Sequence, residues 1–232
     1  MSKQPQTPQP MSFAILRNTH EVFRSSIELM STLLDKGTLD EFRREWENFQ
    51  RCRQTHLAME EEAVFSLLDD VGEGAITEAG LGLEHIDDLA NAELVSRALT
   101  VEDVERAFNT WKVHQLNHLA HEERVMGPLT MKTAPTPVER GQVVHDTLLP
   151  PAIAHGDFDW YLAFVVERLT AYGTSNQEPG VAVRVFVWGL QYAADAGQWE
   201  RWKPIVRDNT SDEIWGEMVE KFQIDGDGKI AG

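Results

Sequence analysis

The chain has 232 residues, a formal net charge of -17 and a single cysteine, Cys52. This length can bury a core without disulfides, and one cysteine excludes an internal disulfide framework and fits a reducing compartment. The excess of acid argues against nucleic acid and anionic membranes as partners, because both are polyanions. No apolar run approaches a membrane span and no basic-then-apolar leader is present, so we expect a cytoplasmic protein.

Helical periodicity dominates the first half of the chain. Residues 1–12 form a polar, proline-containing stretch and predict a disordered tail. From residue 13 to 131 apolar residues recur at intervals of three and four, which predicts helices over 13–35, 39–69, 79–98 and 101–130. Capping-box patterns mark two of the starts, at Thr38 with Glu41 and at Thr100 with Asp103. Short connections favour antiparallel neighbours, so we expect an all-α fold with an up-down-up-down four-helix bundle.

The last hundred residues predict an additional helical extension. Two prolines in KTAPTPVERGQ indicate a turn or linker, and helix-period segments follow. The stretch VAVRVFVW could also form a strand, but the pattern of WGLQYAADAG after it favours a helix. Five of the seven tryptophans fall here, which suits core packing. We therefore expect a bundle over 13–131 and a Trp-rich extension over 132–232 that either packs on the bundle or forms a dimer surface.

A lone histidine followed by a His-x-x-x-Glu occurs twice along the predicted helices. The two copies are His20 with His56 and Glu60, and His85 with His118 and Glu122. A separation of four residues places each His-Glu pair on one helix face, where both side chains can bind one ion. Imidazole with carboxylate suits iron, manganese or zinc better than calcium or magnesium. A single copy is typical of a solvated helix face, whereas a doubled copy indicates a metal site.

The turns place these residues at a common height in the bundle. His20 and His56 each lie 18 residues from Thr38. In an antiparallel hairpin, residues equally far from the turn lie side by side, because each residue advances about 1.5 Å. The midpoint between Glu60 and His85 falls in the glycine turn VGEGA. His85 lies 15 residues before Thr100 and His118 lies 18 residues after it, so their heights in the bundle differ by about one helical turn or less. All six candidates are therefore expected to lie in one layer.

Other polar residues near the motifs leave alternatives open. His114 and His121 lie close to the face of His118 and are candidate additional ligands. The favoured alternative for His114 is a core or supporting histidine, and for His121 a solvent-facing one. The second acids, Glu61 and Glu123, either face solvent or orient ligand imidazoles. Cys52 is expected to be a small buried thiol rather than a ligand.

The order His, His-x-x-x-Glu, His, His-x-x-x-Glu on four helices resembles the hemerythrin-like proteins, also called the HHE cation-binding family. The segments HLAMEEEAVFSLL and HLAHEERVMGPL are similar to the two repeated helices of that family. The resemblance implies a non-haem centre of two iron ions with an oxo or hydroxo bridge, with manganese or zinc less favoured. It assigns Glu60 and Glu122 as bridging ligands. It assigns the terminal ligands to His20, His56, His85 and His118.

Six protein ligands leave coordination positions open on two irons, which predicts reactivity with dioxygen, peroxide or nitric oxide. The protein would act either as an oxidative enzyme, with an organic substrate, or as a binder or sensor. The alternative is a metal-storage or metal-sensing module that acts through a protein partner. Neither a Rossmann glycine motif nor a P-loop is present in the sequence, so no nucleotide cofactor is expected.

Overall fold

A computed structural model of the chain describes residues 13–64, 67, 100–173 and 179–222. Regular structure in this part of the chain is helical, and no strand occurs in it. None of its helices is long and apolar enough to cross a membrane. Two short π-helical segments, Glu60–Val64 and Val144–Leu148, interrupt the α-helices. The α-helices are α1 (Ala14–Asp35), α2 (Leu39–Met59), α3 (Val101–Thr133), α4 (Pro137–Val143), α5 (Leu149–Ala154), α6 (Phe158–Tyr172), α7 (Pro179–Ala193), α8 (Ala196–Asp208) and α9 (Asp212–Phe222).

A tight turn joins α1 to α2. Gly37 has a φ of 71°, which a residue without a Cβ adopts at little cost. The bounds of α1 and the start of α2 agree with the prediction to within one residue, whereas the predicted end of the second helix, at residue 69, lies outside the described residues. The predicted capping box at Thr38 is wrong. The Thr38 hydroxyl donates instead to the carbonyl of Leu33 at 3.0 Å. The hydroxyl of Thr38 is therefore bonded to α1 and does not cap α2.

Helix α3 starts where the sequence predicts. The Thr100 hydroxyl accepts from the amide of Asp103 at 3.3 Å and donates to its carboxylate at 2.9 Å. This cap is confirmed, and α3 continues to Thr133, three residues beyond the predicted end. The helix predicted over 79–98 lies outside the described residues. The complete up-down-up-down topology therefore remains a prediction.

An aromatic cluster joins α2 to α3. Trp46 meets Trp111 edge to face with ring centroids 4.6 Å apart, and Phe42 meets Phe108 at 5.3 Å. Residue numbers rise in the same direction on both helices from the Phe42 contact to the Trp46 contact, so α2 and α3 run parallel here. These side chains are almost completely buried, and such contacts add to the free energy of apolar burial. The cluster fixes the register of α2 against α3 along the stretches that lead to their His-Glu pairs.

The part of the chain after α3 folds back onto α1 and α2. The predicted helices are confirmed there, including VAVRVFVW, which lies in α7. Helix α6 packs against α1, α2 and α8, and α7 packs against α1 and α6. The expectation for the tryptophans is met in part, because Trp199 and Trp202 are buried whereas Trp160, Trp188 and Trp215 are only half-buried. Helix α6 supplies much of this core because its apolar residues cover more than one face.

Replacing Asp195 by alanine is expected to lower the free energy of unfolding by about 1 kcal/mol. The Asp195 carboxylate accepts from the amide of Gln198 at 2.8 Å, and the Gln198 side chain accepts from the amide of Asp195 at 2.9 Å. The change removes the side chain that caps the start of α8. Urea denaturation measures the effect. Glu200→Ala, at an exposed position in the same helix, serves as the control, and an equal loss in both variants would contradict the cap.

Candidate metal centre

Helices α1 and α2 bring the first histidine group together. The imidazoles of His20 and His56 are buried, with their Nε2 atoms 3.0 Å apart. Glu60, at the start of the first π-helical segment, has Oε1 3.0 Å from Nε2 of His56 and 3.5 Å from Nε2 of His20. These three side chains offer ligand atoms that all lie within 4.8 Å of one another, which is close enough to bind a single metal ion. Short π-helical turns within helices are frequent at functional sites, and this one begins at Glu60.

Helix α3 brings a second pair to the same place. Oε1 of Glu122 lies 3.0 Å from Nε2 of His118, one turn earlier on the helix. Its other oxygen lies 3.6 Å from Nε2 of His20. His20 therefore faces carboxylates from two different helices. The structure brings together His20, His56, Glu60, His118 and Glu122, while the sixth candidate, His85, lies outside the described residues.

The chemistry of this group fits metal cations. Both carboxylate oxygens of Glu122, Oε1 of Glu60 and Nδ1 of His56 are buried and lack hydrogen-bond partners within the described part of the chain. The 3.0 Å approach of His118 to Glu122 does not have hydrogen-bond geometry. Buried carboxylate oxygens are costly unless they are paired, and a bound cation is one way to pair them. The donor set of nitrogen and oxygen suits iron, manganese and zinc.

Electrostatics inside the group favour charge on both types of side chain. Burial lowers the pKa of His20, but the hydrogen bond to Glu123 and the nearby carboxylates of Glu60 and Glu122 outweigh it and raise the pKa to about 10. Burial raises the pKa of Glu60. The neighbouring His56 and His20 lower it by more than burial raises it, so the net shift of the Glu60 pKa is downward. Without a metal, protonated imidazole therefore balances the carboxylates. A metal ion must displace such protons, so metal affinity should fall with falling pH.

We expect the metal-free protein to lose stability as the pH rises from 6.5 towards 10. The pKa of His20 is higher in the folded protein than in the unfolded chain, so its contribution is complete below 6.5 and is lost as the pH rises through about 10. Urea midpoints at a series of pH values measure this. His20→Gln should flatten the alkaline decline. A midpoint of the unmodified protein that rises across this interval would contradict the assignment.

Aromatic side chains close one side of the group. Phe23 meets His56 edge to face with centroids 5.1 Å apart, and Phe49 lies 5.0 Å beyond Phe23. Trp111 continues this wall at 5.2 Å from Phe49. All three aromatic side chains are 1% exposed or less, so no water reaches the imidazoles through them. Low polarity on this side strengthens electrostatic interactions within the group.

Two buried groups close another side. Cys52 is buried, as predicted, and burial raises the pKa of its thiol well above the usual value. Tyr161 of α6 is also buried, and its hydroxyl lies 2.5 Å from the hydroxyl of Thr19. Because Thr19 donates to the carbonyl of Ile15, Tyr161 donates to Thr19. The pKa of Tyr161 is raised well above its usual value, mainly by burial, so this phenol stays protonated.

The remaining sequence candidates lie in different surroundings. The side chain of His114 is exposed, so it is not a core histidine. It lies one turn before His118, at the solvent-facing edge of the same helix. His121 is half-buried, and its Nδ1 lies 2.6 Å from the guanidinium of Arg124. Neither of these two histidines joins the group of five.

Sequence reasoning left the roles of two neighbouring residues open or unnoticed. Glu123 lies against His20 instead of facing solvent alone, with its Oε1 3.2 Å from Nδ1. Its position directly after Glu122 was the signal for this contact. Tyr161 was not singled out, because only the fold places α6 beside α1. Its place in the apolar segment DFDWYLAF indicates burial but does not indicate which helix it contacts.

Comparison with known proteins agrees with the geometry. Residues 11–130, just over half of the chain, match the family model of the hemerythrin HHE cation binding domain. No curated protein and no solved structure matched the chain. The family match covers α1, α2, the first π-helical segment and most of α3, which together supply the five grouped side chains. The chain therefore belongs to the hemerythrin HHE cation-binding domain family.

Proposed function

We propose that this chain is a non-haem di-iron protein whose metal centre reacts with dioxygen, peroxide or nitric oxide. One observation carries the proposal: histidine and glutamate side chains from three helices meet in the interior, and both carboxylate oxygens of Glu122 lack hydrogen-bond partners within the described residues. Helical bundles commonly hold paired irons with this type of inward-facing ligand. Membership of a cation-binding family supports the same conclusion.

In this proposal Glu60 and Glu122 would hold both ions between them. The support is that each carboxylate approaches Nε2 of His20, at 3.5 and 3.6 Å, although each also belongs to its own His-Glu pair. The terminal ligands are His20, His56, His85 and His118. Iron is preferred to zinc because the proposed reactions need a redox-active ion, and to manganese because imidazole ligands suit iron better.

Bound iron would supply the redox chemistry and the open coordination positions at which a small molecule reacts. The protein side chains hold and orient the ions. The wall formed by Phe23, Phe49 and Trp111 excludes water from one side of the site. Polar groups around the ligands set the orientation of the imidazoles and the affinity for metal.

We further propose that the extension over 132–232 covers the bundle over 13–131. Tyr161 reaches from α6 to Thr19, the neighbour of His20, with 2.5 Å between the hydroxyl oxygens. Arg168 of the same helix pairs with Glu45 of α2 at 2.5 Å. An extension seated in this way limits which molecules reach the metal from its side. The proposed activity therefore depends on both parts of the chain.

The reactivity is tested with iron-loaded protein that has been reduced anaerobically. We expect new charge-transfer absorption when air is admitted, and different bands when nitric oxide is added or when azide is added to the oxidised protein. The matched control is His118→Ala, which should lose these responses. Iron-loaded protein whose spectrum is unchanged by all three reagents would contradict reactivity and would favour storage or sensing of metal through a protein partner.

A further inference from the structure

His20 must be held in one ring orientation to serve the metal centre. An imidazole binds metal through the nitrogen that carries no proton, and the partner of its other nitrogen determines which one that is. In this structure Nε2 of His20 faces the interior, 3.0 Å from Nε2 of His56 and within 3.6 Å of Glu60 and Glu122. The orientation of this ring therefore decides whether His20 can act as a ligand.

The opposite nitrogen of His20 faces a carboxylate that is itself held in place. Nδ1 lies 3.2 Å from Oε1 of Glu123, the residue next to Glu122 on α3. Arg24 donates to both oxygens of Glu123, at 2.8 and 3.0 Å. The same guanidinium donates to Glu21 at 3.0 Å. A continuous series of hydrogen bonds thus runs from the buried imidazole to the surface of α1.

Helix geometry explains how two adjacent glutamates take different positions. Successive residues point about 100° apart around a helix. Glu122 is 2% exposed and faces the interior, whereas Glu123 is 31% exposed and reaches the side of the His20 ring. Arg24, 26% exposed, lines a groove of about 580 Å³ between α1 and the end of α6. The pair of Arg24 and Glu123 therefore separates this groove from His20.

We propose that Glu123, held by Arg24, is the positioning residue that fixes the His20 imidazole with Nε2 towards the metal centre. Glu123 accepts the hydrogen bond from Nδ1–H, which leaves the lone pair of Nε2 for the metal. The two bonds from Arg24 keep the carboxylate from turning away into the groove. This inference rests on the proposed metal centre and assigns a role to a residue that is not itself a ligand.

The test compares Glu123→Leu with Glu123→Gln in the full-length protein. Leucine removes the acceptor, whereas glutamine keeps an oxygen that can accept from Nδ1–H. Iron(II) affinity, measured by competition with a chelator, should fall roughly 10- to 100-fold in the leucine variant, as is typical when the partner of a ligand histidine is lost. The glutamine variant should recover part of the affinity. Arg24→Gln should fall between the unmodified protein and the leucine variant.

A second readout separates positioning from a structural contribution. In cobalt(II)-loaded protein the Nδ1–H proton of His20 should give a shifted, exchangeable NMR signal, which Glu123→Leu should weaken by faster exchange with water. Thermal midpoints of the metal-free variants show whether stability has changed. Glu105→Ala, at an exposed position on the same helix, is the control and should leave both readouts unchanged.

Three outcomes would overturn the inference. Unchanged affinity in Glu123→Leu, with normal metal binding by the unmodified protein, would overturn positioning alone. Equal losses in the leucine and glutamine variants that follow their thermal midpoints would show that Glu123 only stabilises the fold. Failure of the unmodified protein to bind iron or cobalt would overturn the metal centre and this inference with it.

Discussion

Replacing His118 by alanine is expected to reduce the bound iron from about two ions per chain to about one or fewer. His118 is a proposed terminal ligand, and its Nε2 lies 3.0 Å from the carboxylate of Glu122. Even the loss of a residue that only supports a ligand lowers metal affinity roughly 10- to 100-fold, so removal of a ligand should have at least that effect. Elemental analysis of anaerobically purified protein measures the change.

His114→Ala is the matched control for this experiment. It removes the same side chain from the same helix one turn earlier, at an exposed position. We expect unchanged iron content in this variant. Normal iron loading in His118→Ala, or equal losses in both variants, would contradict the assignment of His118.

Replacing Arg168 by methionine is expected to destabilise the protein by about 3 kcal/mol or more. Arg168 and Glu45 form an ion pair at 2.5 Å between α6 and α2, with side chains only 11% and 6% exposed. Burial raises the pKa of Glu45 even though Arg168 lowers it, which shows how costly a lone carboxylate would be here. The methionine leaves that carboxylate buried without its main cation. Urea denaturation measures the loss.

Two further variants test the cause of this loss. The double variant Glu45→Met with Arg168→Met removes both charges and should recover most of the stability. Arg201→Met breaks a comparable but exposed pair, with Asp159 at 2.7 Å, and should cost less than about 1 kcal/mol. A double variant as unstable as Arg168→Met would show that packing rather than the unpaired charge dominates.

Local sequence signals predicted the helices well. Apolar spacing predicted the bounds of α1 and the starts of α2 and α3, and the cap at Thr100 was recognised from its pattern. The cap predicted at Thr38 does not form, because the carbonyl of Leu33 in the preceding helix accepts the hydrogen bond of its hydroxyl. A capping pattern shows that a side chain can cap a helix, but the acceptors in the preceding turn determine whether that hydrogen bond forms.

The candidate site was predictable because its geometry follows from short distances along the chain. Equal separations from the turn at residues 36–38 are enough to bring His20 beside His56. The spacing of four does the same for His118 and Glu122. The surroundings of the site were not predictable in this way. The contact of Tyr161 with Thr19 joins residues 142 positions apart, and no local pattern specifies it.

The contrast between His114 and Glu123 shows that helix geometry alone does not predict which residues beside the His-Glu pair of α3 join the site. Both lie within a turn or so of the His-Glu pair on α3, at angles that allow either an inward or an outward position. Glu123 approaches His20 because Arg24 on α1 holds its carboxylate there. His114 is exposed. Partners on other helices therefore decide which residues beside the motif join the site.

The most direct test of the central claim is the metal content of protein that has been purified without oxygen and loaded with ⁵⁷Fe, combined with its Mössbauer spectrum. The account predicts about two irons per chain that are magnetically coupled through shared ligands, as in other paired-iron helical bundles. A single isolated iron, zinc in its place, or no bound metal would contradict it.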